Sequence, residues 1–171
     1  MAKKLSSIIG TPEEYGQYLD WFIYEYERPA VTVDAVCLYN GLINTEVLLI
    51  KRKNNPYKNH YALPGGFLEI DETAEQAVRR ELLEETGVKA TDVIHLGVYD
   101  DVLRDTRTRV ISIAFLVIFS QKPEIIAGDD AAEAEWMSIA DAKKHKLAFD
   151  HDQILKKGLN ELQLQHDSSR W

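Results

Sequence analysis

Residues 66–88 read GFLEIDETAEQAVRRELLEETGV, and the fold of the chain turns on how this stretch is read. Thr73, followed three residues later by Gln76, has the spacing of a capping box, and Gly87 can end a helix in the left-handed conformation. The sequence therefore predicts a helix over residues 74–86. Ala77, Val78 and Leu82 give that helix an apolar stripe with which to dock. Beside the stripe, Glu81, Glu84 and Glu85 stand at i, i+3 and i+4 and project from one face. Like charges so placed repel by roughly a few tenths of a kcal/mol per pair in water, and by more where solvent is limited. Folding alone does not call for such a patch.

A hard divalent cation such as Mg²⁺ does call for it, because it takes oxygen ligands, usually one or two carboxylates with water and substrate phosphates. Just upstream, the run Leu63-Pro64-Gly65-Gly66 places two adjacent glycines where something must approach the backbone closely, and a carbonyl of Gly65 or Gly66 is a further candidate ligand. The competing reading is a solvated helix face on which Arg80 and Glu84, at i and i+4, make a surface ion pair of little energetic value.

The rest of the chain narrows the choice. At 171 residues it is expected to form one domain, with residues 1–28 as a helical extension and 30–165 as the core. The formal net charge of −8 argues against a nucleic-acid groove, and an acidic protein that handles an anionic substrate needs a cation between them. The start MAKKLSSIIG lacks the apolar core of a secretory signal, and the longest apolar run, residues 110–119, is too short to span a bilayer as a helix. A cytoplasmic protein without a membrane partner is the expectation. Cys37, the one cysteine, lies in an apolar run and reads as a buried structural thiol.

Thr11-Pro12-Glu13-Glu14 is a helix start, which predicts a helix over residues 12–26. Residues 30–39 and 46–53 are rich in β-branched side chains and flank an Asn40-Gly41 turn, as paired strands do. A polar loop over 54–61, strands over 93–101 and 109–120, and a loop over 121–131 follow. The chain then closes with a strand near 134–139, a short helix capped by Ser138 and a last helix over 149–164. The coarse reading is an α+β protein, a mixed sheet flanked by helices.

From Gly66 onward the run fits Gly-x5-Glu-x7-Arg-Glu-aliphatic-x-Glu-Glu-x-Gly-aliphatic at Gly66, Glu72, Arg80, Glu81, Leu82, Glu84, Glu85, Gly87 and Val88. In this the chain resembles the Nudix hydrolases. The resemblance implies the Nudix fold, a mixed sheet sandwiched between helices with the box as loop, helix and loop. It also implies Mg²⁺ or Mn²⁺ as cofactor and hydrolysis of a nucleoside diphosphate linked to another group. It makes Glu81 and Glu85 the main metal ligands, Glu84 an additional one and a Gly65 or Gly66 carbonyl a backbone ligand. Arg80 would orient the glutamates, and Glu72 would support the loop or stand as a plain acid near a helix N-terminus.

Outside the box, YERPAVTVDAV, LLIKRKNNPYKNHYALPGG, RDTRTRVISIAFL, AGDDAAEAEW and LAFDHDQIL resemble the ADP-ribose pyrophosphatase branch, and related regulators that sense ADP-ribose-type ligands share these flanks. The resemblance implies ADP-ribose cleaved to AMP and ribose 5-phosphate. Nucleotide sugars, NADH or oxidised nucleoside triphosphates are alternatives, as is a silent sensor. The regulators add a winged-helix domain, for which the residues after 147 leave no room, and often lose box glutamates; both points favour an enzyme.

Arg52, Arg104 and Arg109 are candidates to hold the diphosphate, against ordinary strand-edge or loop cations. Tyr61, Phe67 and Tyr99 are candidates to stack on adenine, against core packing. Glu133, then Asp130, is the candidate to activate water beyond the box, against a polar loop, with Glu85 or Glu84 as alternatives. The histidines lack zinc-ligand spacing, and His151-Asp152 reads as packing or capping of the last helix. A homodimer is expected from the resemblance.

Overall fold

The computed structural model describes residues 27–40, 44–126 and 133–168. The expected N-terminal helix, Gly41 of the turn and Asp130 lie outside them. The elements run β1 (Ala30–Asn40), β2 (Thr45–Lys51), β3 (Tyr61–Ala62), β4 (Gly65–Phe67), α1 (Ala74–Thr86), β5 (Ile94–Tyr99), β6 (Val110–Phe119), β7 (Glu133–Ser138), α2 (Ile139–Ala142) and α3 (His151–Ser168).

The centre of the sheet is a parallel pair, β1 against β6, in register from Ala30 opposite Val110 to Tyr39 opposite Phe119. Both strands are covered on both faces, which is why each reads as a nearly continuous apolar run. On its other edge β1 pairs antiparallel with β4 near its start and β2 near its end. Antiparallel β5 borders β6, and β7 lies along β2.

The twofold alternation of β1 separates two cores. Val33, Ala35 and Cys37 point to the side where α1 contributes Ala77, Val78 and Leu82. Val36 and Leu38 point to the side where α3 contributes Ile154, Leu155 and Leu162. The sheet is thus sandwiched between helices, the expected α+β arrangement. Cys37 is fully buried, and burial pushes its thiol far above its ordinary range, so it is a core side chain and not a nucleophile.

Most strand ends shift by one or two residues, the short strands β3 and β4 were not expected, and two further differences have a visible cause. The last helix begins at His151 because Phe149 adopts a positive φ of 53°, which no helical residue can hold. The second strand stops at Lys51, after which the Arg52 N–H donates to the His60 carbonyl and closes the loop. Among the described residues, no helix is long and apolar enough to cross a membrane.

Candidate functional site

Helix α1 is bracketed as its sequence dictates. Thr73 Oγ1 accepts from the Gln76 N–H while the Thr73 N–H donates to Gln76 Oε1, and Gly87, at φ 70°, sends its N–H to the Leu83 carbonyl. With both ends fixed and the apolar stripe docked on β1, the glutamates face the loop that precedes the helix.

Arg80 organises that face. Its Nε and Nη2 fork onto Glu72 at 3.0 and 2.6 Å, Nη1 donates to Glu81 at 2.8 Å and Glu84 at 3.1 Å, and Nη2 also reaches the Phe67 carbonyl at 3.1 Å. All five guanidinium donors are used, a task that lysine's ammonium cannot perform. Arg80, followed by the Glu69 N–H, holds the Glu72 carboxyl below its ordinary range. Glu72 therefore acts as the loop-side anchor for Arg80.

Glu85 differs from its neighbours. Its Oε2 accepts the Gly65 N–H at 2.9 Å, yet burial, followed by the charges of Glu81 and Asp34, pushes its carboxyl up to about 8. Burial also raises Glu81. The face thus holds carboxylates that lack full compensation, in a setting of oxygen donors only, which fits a hard divalent cation. The glycines fit as well: a Cβ on Gly66 would stand 2.2 Å from Glu81 Oε1, so only the bare backbone leaves room for that carboxylate. Among the described residues no three Asp, Glu, His or Cys side chains meet as a ready ligand set, because Glu81 and Glu84 are turned onto Arg80.

Gly65 and Gly66 also form one wall of a cavity of about 220 Å³, whose other walls carry Arg52, Phe67, Arg104, Arg107, Phe149 and His151. Arg52 lies 4.8 Å above the Phe149 ring, its Nε bound to the Pro56 carbonyl, and burial followed by Arg107 lowers its pKa. Arg107 approaches the Phe67 ring at 5.8 Å and the Phe149 ring at 5.9 Å while forked onto Asp105. Two guanidiniums held apart on aromatic faces, beside the carboxylates, make a site for a bridging anion.

Of the residues singled out in the sequence, Gly65, Gly66, Arg52, Phe67 and Arg104 line this cavity. Arg104 is 8% exposed and committed to Asp150 at 2.9 and 2.6 Å, so its charge is already answered. Arg109 is not in the lining and donates to the Asp101 and Val110 carbonyls. Tyr61 donates to Glu135 at 2.6 Å, a bond that pushes the phenol up to about 12, and it too lies away from the cavity. Glu133 stands at the start of β7, paired with Lys51 at 3.2 Å. Tyr99 lines a second hollow of about 400 Å³ that shares Arg104 and Phe149 with the first.

Residues 28–158 match the model of the NUDIX domain. The chain belongs to the Nudix family. Over 131 residues it is 48% identical to an ADP-ribose pyrophosphatase of Methanocaldococcus jannaschii, covering 77% of this chain and 73% of that one. It is 30% identical over 140 residues to the ADPR responsive transcriptional repressor NtrR of Acinetobacter baylyi, covering 81% of this chain but only 56% of the repressor. Among solved structures, the NUDIX domain of Shewanella oneidensis NrtR complexed with ADP ribose superposes with a TM-score of 0.75 at 29% identity, over 90% of this chain and 99% of that one.

Asp34, Asp105, Arg107 and Phe149 escaped the sequence reading, in which His151 of this Nudix chain figures only as packing or capping of the last helix. Asp34 carried a signal, an acid inside the apolar run AVTVDAVCLYN, where burial demands a partner. Arg107 and Phe149 carried none, since loops over 104–107 and 147–150 meet only through the tertiary fold.

Proposed function

We propose that the protein hydrolyses ADP-ribose to AMP and ribose 5-phosphate, with Mg²⁺ or Mn²⁺ held by Glu81, Glu84 and Glu85 and a carbonyl of Gly65 or Gly66. The observation that carries this reading is the abutment of the under-compensated carboxylate face of α1 on a cavity walled by Arg52 and Arg107, with Gly65 and Gly66 belonging to both. When bound, the cation polarises phosphoryl oxygens and makes water more acidic.

The chain's own residues do the rest. Arg52 and Arg107 neutralise the outer oxygens of the diphosphate, and the aromatic faces beneath them keep both guanidiniums oriented. Phe67, 48% exposed at the cavity rim, offers a surface for the uncharged part of the substrate. Water attacks one phosphorus, the anhydride bond to the bridging oxygen breaks, and that oxygen leaves on the other phosphate. Glu85 is assigned to take the water's proton at Oε1, the oxygen that the Gly65 N–H does not engage. Glu133, engaged by Lys51 away from the cavity lining, is the weaker candidate for that task.

The decisive experiment offers ADP-ribose, NADH, GDP-mannose, diadenosine polyphosphates and 8-oxo-dGTP, each with Mg²⁺, Mn²⁺ or chelator, and identifies every product. AMP from ADP-ribose, abolished by chelator, is the expected result; preference for another substrate would move the reading within the family. A second reading, a sensor that binds ADP-ribose without cleaving it, draws on the likeness to the two regulator proteins. It requires binding without AMP release and no catalytic effect of Glu85→Gln. On the leading reading the protein also acts in the cytoplasm as a homodimer, the latter open to sedimentation.

A further inference from the structure

We propose that His151 is a positioning residue for the carboxylate face of α1, acting through the 63–66 segment; the inference rests on the hydrolase reading above. His151 opens α3 and is 4% exposed, with one ring nitrogen hydrogen-bonded and the other beside a carboxylate. Nδ1 accepts the Leu63 N–H at 2.9 Å, which leaves the proton of the neutral ring on Nε2, 3.4 Å from Asp34 Oδ1. Burial holds the imidazole below its ordinary range, in keeping with the neutral form.

The ring has a rigid backing. Asp34 Oδ2 accepts the Ser112 hydroxyl, and Arg104 Nη2 stands 3.5 Å from the same oxygen while forked onto Asp150. An imidazole between a fixed acceptor and a backbone donor has one orientation.

What it orients is the backbone that the glutamates lean on. Leu63 lies between β3 and β4, 1% exposed, so the imidazole supplies the acceptor that no neighbouring strand gives its N–H. Two residues on, the Gly65 N–H holds Glu85, and Gly66 seats Glu81. Between them the Pro64 carbonyl accepts from Ala35 at 2.8 Å, and Gly65 is so close to β1 that a Cβ would meet the Val33 carbonyl at 2.1 Å. The segment is therefore short, taut and held at one end by α3 and at the other by the box. A shift of its first N–H moves the donor that sets Glu85.

The test uses the full-length protein with His151→Phe, His151→Gln and His151→Asn, the last able to present an amide oxygen where Nδ1 stood. Supporting partners of this kind are worth roughly 10- to 100-fold. His151→Phe is expected to lower kcat by about that factor with KM within about threefold, because Arg52 and Arg107 remain. His151→Asn should recover most of the loss and His151→Gln, whose amide reaches Asp34 and not Leu63, should not. Combined with Glu85→Gln, His151→Phe should add nothing further.

A readout independent of turnover is the Gly65 amide proton shift in metal-free, ¹⁵N-labelled protein. His151→Phe should move it in the direction that Glu85→Gln does. If the Phe variant fails to fold, the Asn and Gln variants carry the comparison. An unmoved Gly65 amide, equal kcat in the Asn and Gln variants, or effects that multiply with Glu85→Gln would overturn the proposal. Should the wild type prove not to cleave ADP-ribose, the hydrolase reading falls while the amide shift still decides the role of His151.

Discussion

Glu85 shows most clearly what the site costs the fold. Its carboxyl titrates at about 8 in the folded chain against an ordinary 4.5, so between these values the folded protein holds a proton that the unfolded chain releases. The stability it contributes is complete below about 4.5 and is lost as pH rises through about 8. Thermal denaturation of metal-free protein should therefore show Tm falling from pH 5 to 8, by the equivalent of a few kcal/mol, and Glu85→Gln should flatten that fall. His151 has the opposite sign: its depressed pKa withdraws stability as pH drops below about 6.5, so the comparison with Glu85→Gln is needed to separate the two. A parallel fall in both proteins would mean that Glu85 is solvated. A second expectation concerns the arginines. Arg107→Ala should raise KM for ADP-ribose about tenfold, while Arg109→Ala, at a residue that does not line the cavity and is bound to the Asp101 and Val110 carbonyls, should change it less than about twofold. Equal effects in steady-state kinetics would remove Arg107 from the binding role.

At the scale of elements, the helices carry different kinds of constraint. Helix α1 was legible in the sequence down to its caps, because Thr73, Gln76 and Gly87 act within one turn of their targets and the stripe of Ala77, Val78 and Leu82 has helical spacing. The same spacing set Glu81, Glu84 and Glu85 close together on the helix, while their split between Arg80 and the Gly65 N–H was not legible. The start of α3 was not legible either: Phe149 sits in the left-handed region without being glycine or asparagine, its ring packed against His151 and against Arg52, Tyr57 and Arg107 from distant parts of the chain. Such a conformation has no local code. Nor do Leu63 and His151 announce their hydrogen bond across 88 positions. Helix α3 is pressed so closely on β1 that a Cβ on Gly158 would lie 2.7 Å from Val36 Cγ1. Alanine there gains up to about 1 kcal/mol of helix propensity, yet Val36 is stiff at χ1 and cannot swing aside. Gly158→Ala should therefore destabilise the protein by about 1 to 3 kcal/mol in urea titration, and a stabilised variant would show that the helix can ride outward.

For the molecule as a whole, the excess of acids over bases gives a net charge of −8, which opposes both the approach of a diphosphate and the packing of α1. A divalent cation relieves both at once. Added Mg²⁺ or Mn²⁺ should raise Tm by the equivalent of about 2.7 kcal/mol at a hundred times the dissociation constant, and a fixed cation concentration should raise it more at pH 8 than at pH 6, where protons compete for Glu85 and weaken binding. Scanning calorimetry of metal-free protein, with and without the added cation, checks this; an increment independent of pH would separate cation binding from Glu85. The sheet topology has its own corollary. The central pair joins strands about 80 residues apart, and the helix that bears the glutamates lies in the intervening stretch. During synthesis on a ribosome, that helix emerges well before β6 can close against β1 and long before His151 and Phe149 appear. The nascent chain thus holds the local partners of its acidic face, Gly65, Gly66, Glu72 and Arg80, well before the cavity walls of Arg107, Phe149 and His151 arrive, so the cavity beside that face is completed only near the carboxyl end of translation.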